Sequence, residues 1–138
     1  MNNAFIDRLH DEAISLLLAS RDCAAEGTFA YVSDLGDPAE RLSVIVASLH
    51  LTALVTDAVA WTLVQKAVAA GQLSEEAAAA DCWEPAQLTF DRALPAPLPV
   101  RLAELIKKAQ LFHRRVANLH AQRRQEIARR RDNETFPG

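Results

Sequence analysis

Residues 42–71 read LSVIVASLHLTALVTDAVAWTLVQKAVAAG, the most apolar stretch of the chain. A helix that spans a membrane needs about 20 consecutive apolar residues with few charges. The uncharged run from Leu42 to Thr56 is 15 residues long and includes serine, threonine and histidine. Asp57 then interrupts it, and a carboxylate is costly at the centre of a bilayer. The stretch therefore predicts a helix of a soluble protein, without a membrane span.

Both ends of this helix are marked in the sequence. Asp37 can cap the N-terminus, Pro38 suits the first turn and Glu40 occupies the third helical position. Gly71 suits the residue that follows the C-terminus. These signals predict a helix of about 33 residues, which is about 50 Å long at the usual rise per residue.

A helical wheel places one stripe of mostly apolar residues along this helix, about as wide as a core-facing helix needs. The stripe contains Leu42, Ile45, Val46, Leu49, Ala53, Thr56, Ala60, Leu63, Val64 and Ala67. The opposite face is also apolar and includes Leu51 and Val55. A helix that is apolar on all sides is buried on all sides, and a chain of 138 residues can cover about one of them. The side that the chain leaves uncovered predicts contact with a second copy, and therefore a homodimer.

The rest of the chain supplies neighbouring helices. Residues 3–24 form an amphipathic pattern, and Ser74 can cap a short helix that runs to about Cys82. The segment 83–99 contains four prolines and predicts an extended connection. Pro99 opens a long final helix. Its apolar positions, three and four apart, are Leu102, Leu105, Ala109, Phe112, Val116 and Leu119.

These patterns predict an all-α protein: an antiparallel bundle of three long helices plus a short helix, dimerising through the long helices. The bundle domain is expected at residues 1–120 and a basic, partly disordered C-terminal tail at 121–138. The candidate core and dimer residues are Leu49, Leu51, Val55, Asp57, Trp61, Leu105, Phe112 and Val116.

The composition indicates a single compact domain in a reducing compartment. Half of the residues are hydrophobic, and Cys23 and Cys82 stand outside any metal-binding or redox motif. The N-terminus MNNAFIDRLHDE lacks the basic start and apolar run of a secretory signal. A cytoplasmic protein is therefore expected.

Ser43, His50 and Asp57 recur every seven residues on one side of the long helix. They are the residue types of a nucleophilic triad. Seven residues along a helix span about 10.5 Å, whereas triad members must approach within about 3 Å. A polar seam between helices is the better interpretation. It requires a cationic or hydrogen-bonding partner for Asp57 on another helix or on the second subunit.

The sequence contains no motif for a metal, a cofactor or a phosphate. None of the four histidines has a glutamate three residues before it, as helix-bundle di-iron sites do. His113 and His120 continue the apolar stripe of the last helix and are interpreted as core histidines with satisfied hydrogen bonds. The four glycines form no phosphate-binding loop. We expect a protein without enzymatic activity and without a cofactor.

Charge divides the chain into an acidic body and a basic final helix. Residues 1–100 carry 5 basic and 14 acidic side chains, whereas residues 101–131 carry 10 basic and 2 acidic ones. The candidate partner-binding residues are Lys107, Lys108, Arg114, Arg115, Arg123 and Arg124. Aromatic residues do not alternate with these cations. A solvated face or a contact with acidic protein, including the protein's own N-terminal helix, is favoured over nucleic acid.

Two blocks of the sequence match the pattern of a known family. In LTALVTDAVAWTLVQKAVAAGQLSEEAA the matching positions are Leu51, Thr52, Trp61, Leu63, Val64, Gln65, Lys66, Ala67, Val68, Gly71 and Ser74. In LPVRLAELIKKAQLFHRRVANLH they are Leu98, Pro99, Leu102, Leu105, Ile106, Arg115, Val116 and Leu119. At these positions the chain resembles the RcdA-like proteins (regulator of CtrA degradation) of alphaproteobacteria. The resemblance covers residues 38–120, and the N-terminal third matches only loosely.

This resemblance implies a dimeric helical bundle that acts as a non-enzymatic adaptor. The family's named member helps a Clp-type AAA+ protease to degrade the response regulator CtrA in cell-cycle control, so the resemblance implies protease and response-regulator partners. The alternative hypothesis is a nucleic-acid-associated helical protein that uses its basic C-terminal helix. Binding that falls steeply with salt would distinguish the second from the first.

Overall fold

The computed structural model describes residues 2–25, 37–80 and 94–135. Three long helices and one short helix account for most of them, and these parts of the chain contain no strand. The helices are α1 (Asn3–Cys23), α2 (Pro38–Ala69), α3 (Glu75–Ala80) and α4 (Val100–Thr135). The predicted all-α bundle of three long helices plus a short one is confirmed.

The ends of α2 lie where the sequence places them. The side chain of Asp37 accepts a hydrogen bond from the backbone N–H of Ala39 at 2.9 Å, so it caps the helix as predicted. At the other end Gly71 adopts a positive φ of 74° and its N–H donates to the carbonyl of Val68 at 3.1 Å. A residue with a side chain would be strained in this conformation, which is why glycine ends the helix.

α2 and α4 run in the same direction. Near the start of both helices the hydroxyl of Ser43 accepts a hydrogen bond from the backbone N–H of Ala96 at 2.9 Å. Towards their other ends the indole Nε1–H of Trp61 donates to Nδ1 of His120 at 3.3 Å. The described part of the predicted extended connection, residues 94–99, is not helical, and residues 81–93 lie outside the described ranges.

α1 is the antiparallel member of the bundle. Asp7, near its start, forms an ion pair with Lys66 near the end of α2 at 3.6 Å. Cys23, at the end of α1, packs in the same hydrophobic cluster as Val44 near the start of α2 and Leu102 near the start of α4. α1 therefore runs opposite to both other long helices and closes the bundle against them.

The core consists of two clusters to which all three long helices contribute. One contains Cys23, Val44, Ala47, Leu51, Leu54, Val55, Leu102, Leu105, Ile106 and Ala109. The other contains Leu9, Ala13, Ala58, Trp61, Phe112 and Val116. Ala13 and Ala47 are fully buried, and such small side chains let helix backbones approach closely. The larger side chains, of which Trp61 is the largest, fill the space where the helices lie further apart.

The apolar stripe that includes Leu42 and Leu49 faces away from the bundle. Leu49 is 67% exposed, and Leu42 and Leu63 are each 52% exposed. Within one chain this stripe is the outward side of α2, because the opposite face, with Leu51 and Val55, packs inward. Both faces are apolar, so hydrophobicity does not rank them. The polar side chains His50 and Asp57 distinguish the two faces, because they form hydrogen bonds with α4 when the face that carries them is buried.

Among the described residues, α2 is the helix long and apolar enough to cross a membrane by length and composition alone. One side of it packs against α1 and α4. The core helix of a soluble bundle meets the same criteria of length and composition.

α4 continues well beyond the end of the seam. It remains helical to Thr135, and most side chains after His120 are exposed. Arg123 and Arg130 form ion pairs with Glu75 at the start of α3, at 3.2 and 2.7 Å. The domain boundary at residue 120 stays a prediction, and the last residues of the predicted tail, 136–138, lie outside the described ranges.

Candidate partner-binding surface

A polar seam connects α2 to α4. Ser43, His50 and Asp57 lie along one side of α2, as their spacing of seven residues predicts. Their partners are the backbone N–H of Ala96 at 2.9 Å, the amide of Gln110 at 3.4 Å and the imidazole of His113 at 2.6 Å. The predicted partner of Asp57 on another helix is thus found. The seam favours this register of α2 on α4, because a shift of one helix along the other would break these hydrogen bonds.

The pair of Asp57 and His113 is the most strongly hydrogen-bonded part of this seam. The carboxylate accepts a hydrogen bond from Nε2–H at 2.6 Å, and the two side chains are 18% and 10% exposed. A carboxylate in a partly dry environment requires such a partner. The pair is a structural contact of the bundle.

Burial favours the neutral form of two further histidines, His50 and His120. Burial lowers the pKa of His50 below its ordinary value, and repulsion by His113 adds to the effect. Burial also lowers the pKa of His120, with a smaller contribution from Arg124. Neutral His120 keeps Nδ1 free to accept the hydrogen bond from the indole of Trp61.

Stability is therefore expected to fall on mild acidification. The unfolded chain binds protons at His50 and His120 near their ordinary pKa of 6.5, whereas the folded chain binds them at lower pH. The stability that depends on neutral imidazoles is present above pH 6.5 and is lost as the pH falls below it. The midpoint of urea unfolding should decrease steadily from about pH 7.5 to about pH 5.5, where carboxylates still remain ionised.

His120→Gln provides the control, because glutamine can accept the bond from Trp61 through its carbonyl oxygen but does not titrate. This variant should lose less stability over the same pH range. A midpoint that stays constant or rises on acidification would contradict the burial of these two imidazoles.

The predicted partner-binding cations divide into two groups. Arg115 and Arg123 are engaged within the chain: Arg115 pairs with Glu12 of α1 at 3.0 Å and Arg123 with Glu75 at 3.2 Å. Arg115 also lies over the ring of Phe112, 5.5 Å from its centroid. The expected contact between the basic helix and the acidic first helix therefore exists.

Glu75 binds two arginines. The hydrogen bond from Arg130 lowers the pKa of its carboxyl group and that from Arg123 adds to the effect, although partial burial acts in the opposite direction. Two guanidinium groups on one carboxylate attach the distal part of α4 to the start of α3. Arg123 thus has a role within the chain, and sequence reasoning did not identify Glu75 as its partner.

Lys107, Lys108, Arg114 and Arg124 form the second group. Their side chains are exposed, and within residues 2–25, 37–80 and 94–135 none forms an ion pair with a carboxylate. These cations therefore remain available to an acidic partner.

Two of these cations border a groove between α1 and α4 that sequence reasoning missed. The groove has a volume of about 760 Å³, and Leu16, Leu105 and Phe112 line its floor. Lys108 and Arg114 lie at its α4 edge. The sequence signal is the pair of small residues Ser15 and Ala19 on α1, which leave room beside the larger residues of α4.

Comparisons with known proteins identify a family and a solved structure with the same fold. The sequence model of a family described as "Protein of unknown function (DUF1465)" matches residues 1–136. The chain belongs to the DUF1465 family. No curated protein matches its sequence significantly.

A solved structure shares the fold of this DUF1465 protein. The crystal structure of RcdA from Caulobacter crescentus CB15 superposes with a TM-score of 0.67 at 24% sequence identity. The match covers 86% of this chain and 89% of RcdA. The resemblance to RcdA-like proteins indicated by the sequence is thereby confirmed, and the DUF1465 chain has the same helical fold.

Proposed function

We propose that this protein is a non-enzymatic, cytoplasmic adaptor that helps deliver a response regulator to a Clp-type AAA+ protease in cell-cycle control. The fold that it shares with RcdA supports the class of protein. A shared fold does not transfer a partner, because function depends on particular surfaces. The partners of this chain must therefore be inferred from its own surfaces.

The observation that carries the proposal is the exposed apolar side of α2. Ile45, Leu49 and Leu63 are 47%, 67% and 52% exposed on one helix. Contiguous exposed apolar side chains on a soluble protein mark a surface that another protein covers. The described parts of the chain thus offer surfaces suited to protein contacts.

A second copy of the chain is the proposed occupant of this α2 surface. Leu49 is the one member of the candidate core and dimer set that faces strongly outward. The remaining apolar members, including Leu51 and Phe112, are buried within one chain and belong to its own core. A two-fold axis beside α2 would bring the same stripe together from both copies, as homodimers commonly do.

The nucleic-acid alternative rests on the exposed Lys107, Lys108, Arg114 and Arg124. It is less favoured because Arg115, Arg123 and Arg130 are already paired with carboxylates, which removes three cations from a continuous phosphate-binding track. Such binding would fall by orders of magnitude between low and physiological salt.

The test measures degradation directly. A purified Clp-type ATPase with its peptidase and a response-regulator substrate are incubated with and without this protein, after its mass has been determined by light scattering. We expect faster degradation at amounts of this protein well below those of the substrate. We also expect a dimer of about twice the 15.1 kDa chain mass.

The variant Ile45→Glu/Leu49→Glu should be monomeric, whereas the control Leu18→Glu, at a residue of α1 that is 43% exposed, should remain dimeric. Degradation that is unchanged by the protein across CtrA-like response regulators would refute the adaptor role. A wild-type monomer would refute the dimer. Co-purifying nucleic acid that nuclease or moderate salt removes would favour the alternative.

A further inference from the structure

We infer that the groove between α1 and α4 binds an amphipathic, acidic α-helix of a partner protein. The inference rests on the proposed adaptor function and names the chemistry of a partner. The occupant would place an apolar stripe on the floor of the groove and its carboxylates against the cations at the α4 edge.

The bundle geometry favours a helix as the occupant. The seam between α1 and α4 has two sides, and α2 covers one of them by packing against both helices. The groove is the other side of that seam, with Leu16 and Phe112 in its floor. A helix laid there would contact both α1 and α4 and cover the second side of their seam, by the ridge-into-groove packing usual between helices.

The edges of the groove have helical spacing. Lys108, Leu111 and Arg115 follow each other at three and four residues on α4, and Ser15 and Ala19 are four apart on α1. Such rows accept the ridges of a packed helix, which presents side chains at the same intervals. The α4 edge from Lys108 to Asn118 is about 15 Å long, or nearly three helical turns.

Leu111 supplies an apolar contact that the protein itself leaves uncovered. It is 55% exposed at the edge of the groove, whereas Phe112 in the floor is 3% exposed. An occupant would therefore cover Leu111 without displacing any core side chain.

The charged side chains of the groove determine the sign of the charge that the occupant must carry. Glu12 is the acidic residue in the lining, and it already pairs with Arg115 at 3.0 Å. Lys108 and Arg114 are exposed and have no ion pair within the described ranges. The groove thus carries two uncompensated positive charges beside an apolar floor. An acidic helix is attracted to it and a basic helix is repelled.

The test uses two synthetic fluorescein-labelled peptides with the same leucine stripe, one with glutamates on its flanks and one with lysines at those positions. Fluorescence anisotropy with the full-length protein should show binding of the acidic peptide, with the basic peptide bound about tenfold more weakly or not at all. Failure of the wild-type protein to bind the acidic peptide up to about 100 µM, the range of weak recognition, would overturn the inference.

Charge reversal at the groove should weaken binding. Lys108→Glu/Arg114→Glu is expected to lower the affinity for the acidic peptide about tenfold or more. The matched control Arg129→Glu/Arg131→Glu makes the same charge change on exposed residues of the same helix outside the groove. Equal losses in both variants would show attraction to the whole basic helix and would overturn the inference.

A bulky substitution locates the contact. Ser15→Trp places an indole in the groove from an exposed position and should lower affinity about tenfold, whereas Gln122→Trp, exposed on α4 beyond the groove, should not. If Ser15→Trp abolishes self-association instead, the groove belongs to the interface between two copies and the inference fails.

The degradation assay separates this inference from the proposed function. Stimulated degradation that Lys108→Glu/Arg114→Glu leaves intact would keep the adaptor role and refute the groove as its docking site. Groove-specific peptide binding without any stimulation of the protease would support the groove and refute the proposed delivery to a Clp protease.

Discussion

Replacing Trp61 by alanine is expected to lower the free energy of unfolding by about 3–5 kcal/mol. The side chain is 1% exposed and packs in one cluster with Leu9, Phe112 and Val116. Its loss leaves a cavity among side chains from all three long helices. It also removes the indole N–H that donates to His120 at 3.3 Å. Both the cavity and the lost hydrogen bond lower the free energy of unfolding.

Urea unfolding followed by helical circular dichroism measures the effect. The control is Leu18→Ala, on α1 outside this cluster at a side chain that is 43% exposed, which should cost about 0.5 kcal/mol or less. Trp61→Phe keeps most of the volume and should cost about 1–2 kcal/mol, because it removes the hydrogen bond. It remains measurable if the alanine variant does not fold. A loss below about 0.5 kcal/mol for Trp61→Ala would contradict the burial of this residue.

Both ends of α2 and the start of α3 could be predicted because local chemistry determines them. Asp37 caps the start of α2 and Gly71 adopts the positive φ that ends it, whatever packs around the helix. Ser74 does the same for α3, since its hydroxyl accepts from the N–H of Ala77 at 3.1 Å. The seam residues Leu105, Phe112 and Val116 are likewise buried, as their coiled-coil spacing indicates.

The arrangement of the helices was harder to predict. The two faces of α2 are similarly apolar, and the polar positions Ser43 and Asp57 were needed to choose between them. Helical periodicity shows which face of a helix is apolar but not the direction in which two helices run relative to each other, so it does not predict the parallel direction of α2 and α4. The groove depends on the fit of Ser15 and Ala19 against α4. Such a fit is a property of two helices together and cannot be read from either alone.

Replacing Asp57 by alanine is expected to lower the free energy of unfolding by about 2–3 kcal/mol at pH 7. The carboxylate accepts a hydrogen bond from His113 at 2.6 Å, and both side chains are mostly buried. The alanine variant removes that acceptor and leaves a polar imidazole at the α2–α4 contact. The exposed Asp11→Ala on α1 serves as the control and should change stability by about 0.5 kcal/mol or less.

A double-mutant cycle with His113→Ala isolates the contribution of the pair. We expect a coupling energy of about 1–3 kcal/mol between the two positions, because each single variant removes the direct hydrogen bond between them. A coupling energy near zero would show that the contact at 2.6 Å does not stabilise the bundle. Asp57→Leu/His113→Leu should cost less than either single leucine variant, since the double variant removes both members of the partly buried contact and not one alone. That result would indicate that the pair fixes how α2 lies against α4 more than it stabilises the fold.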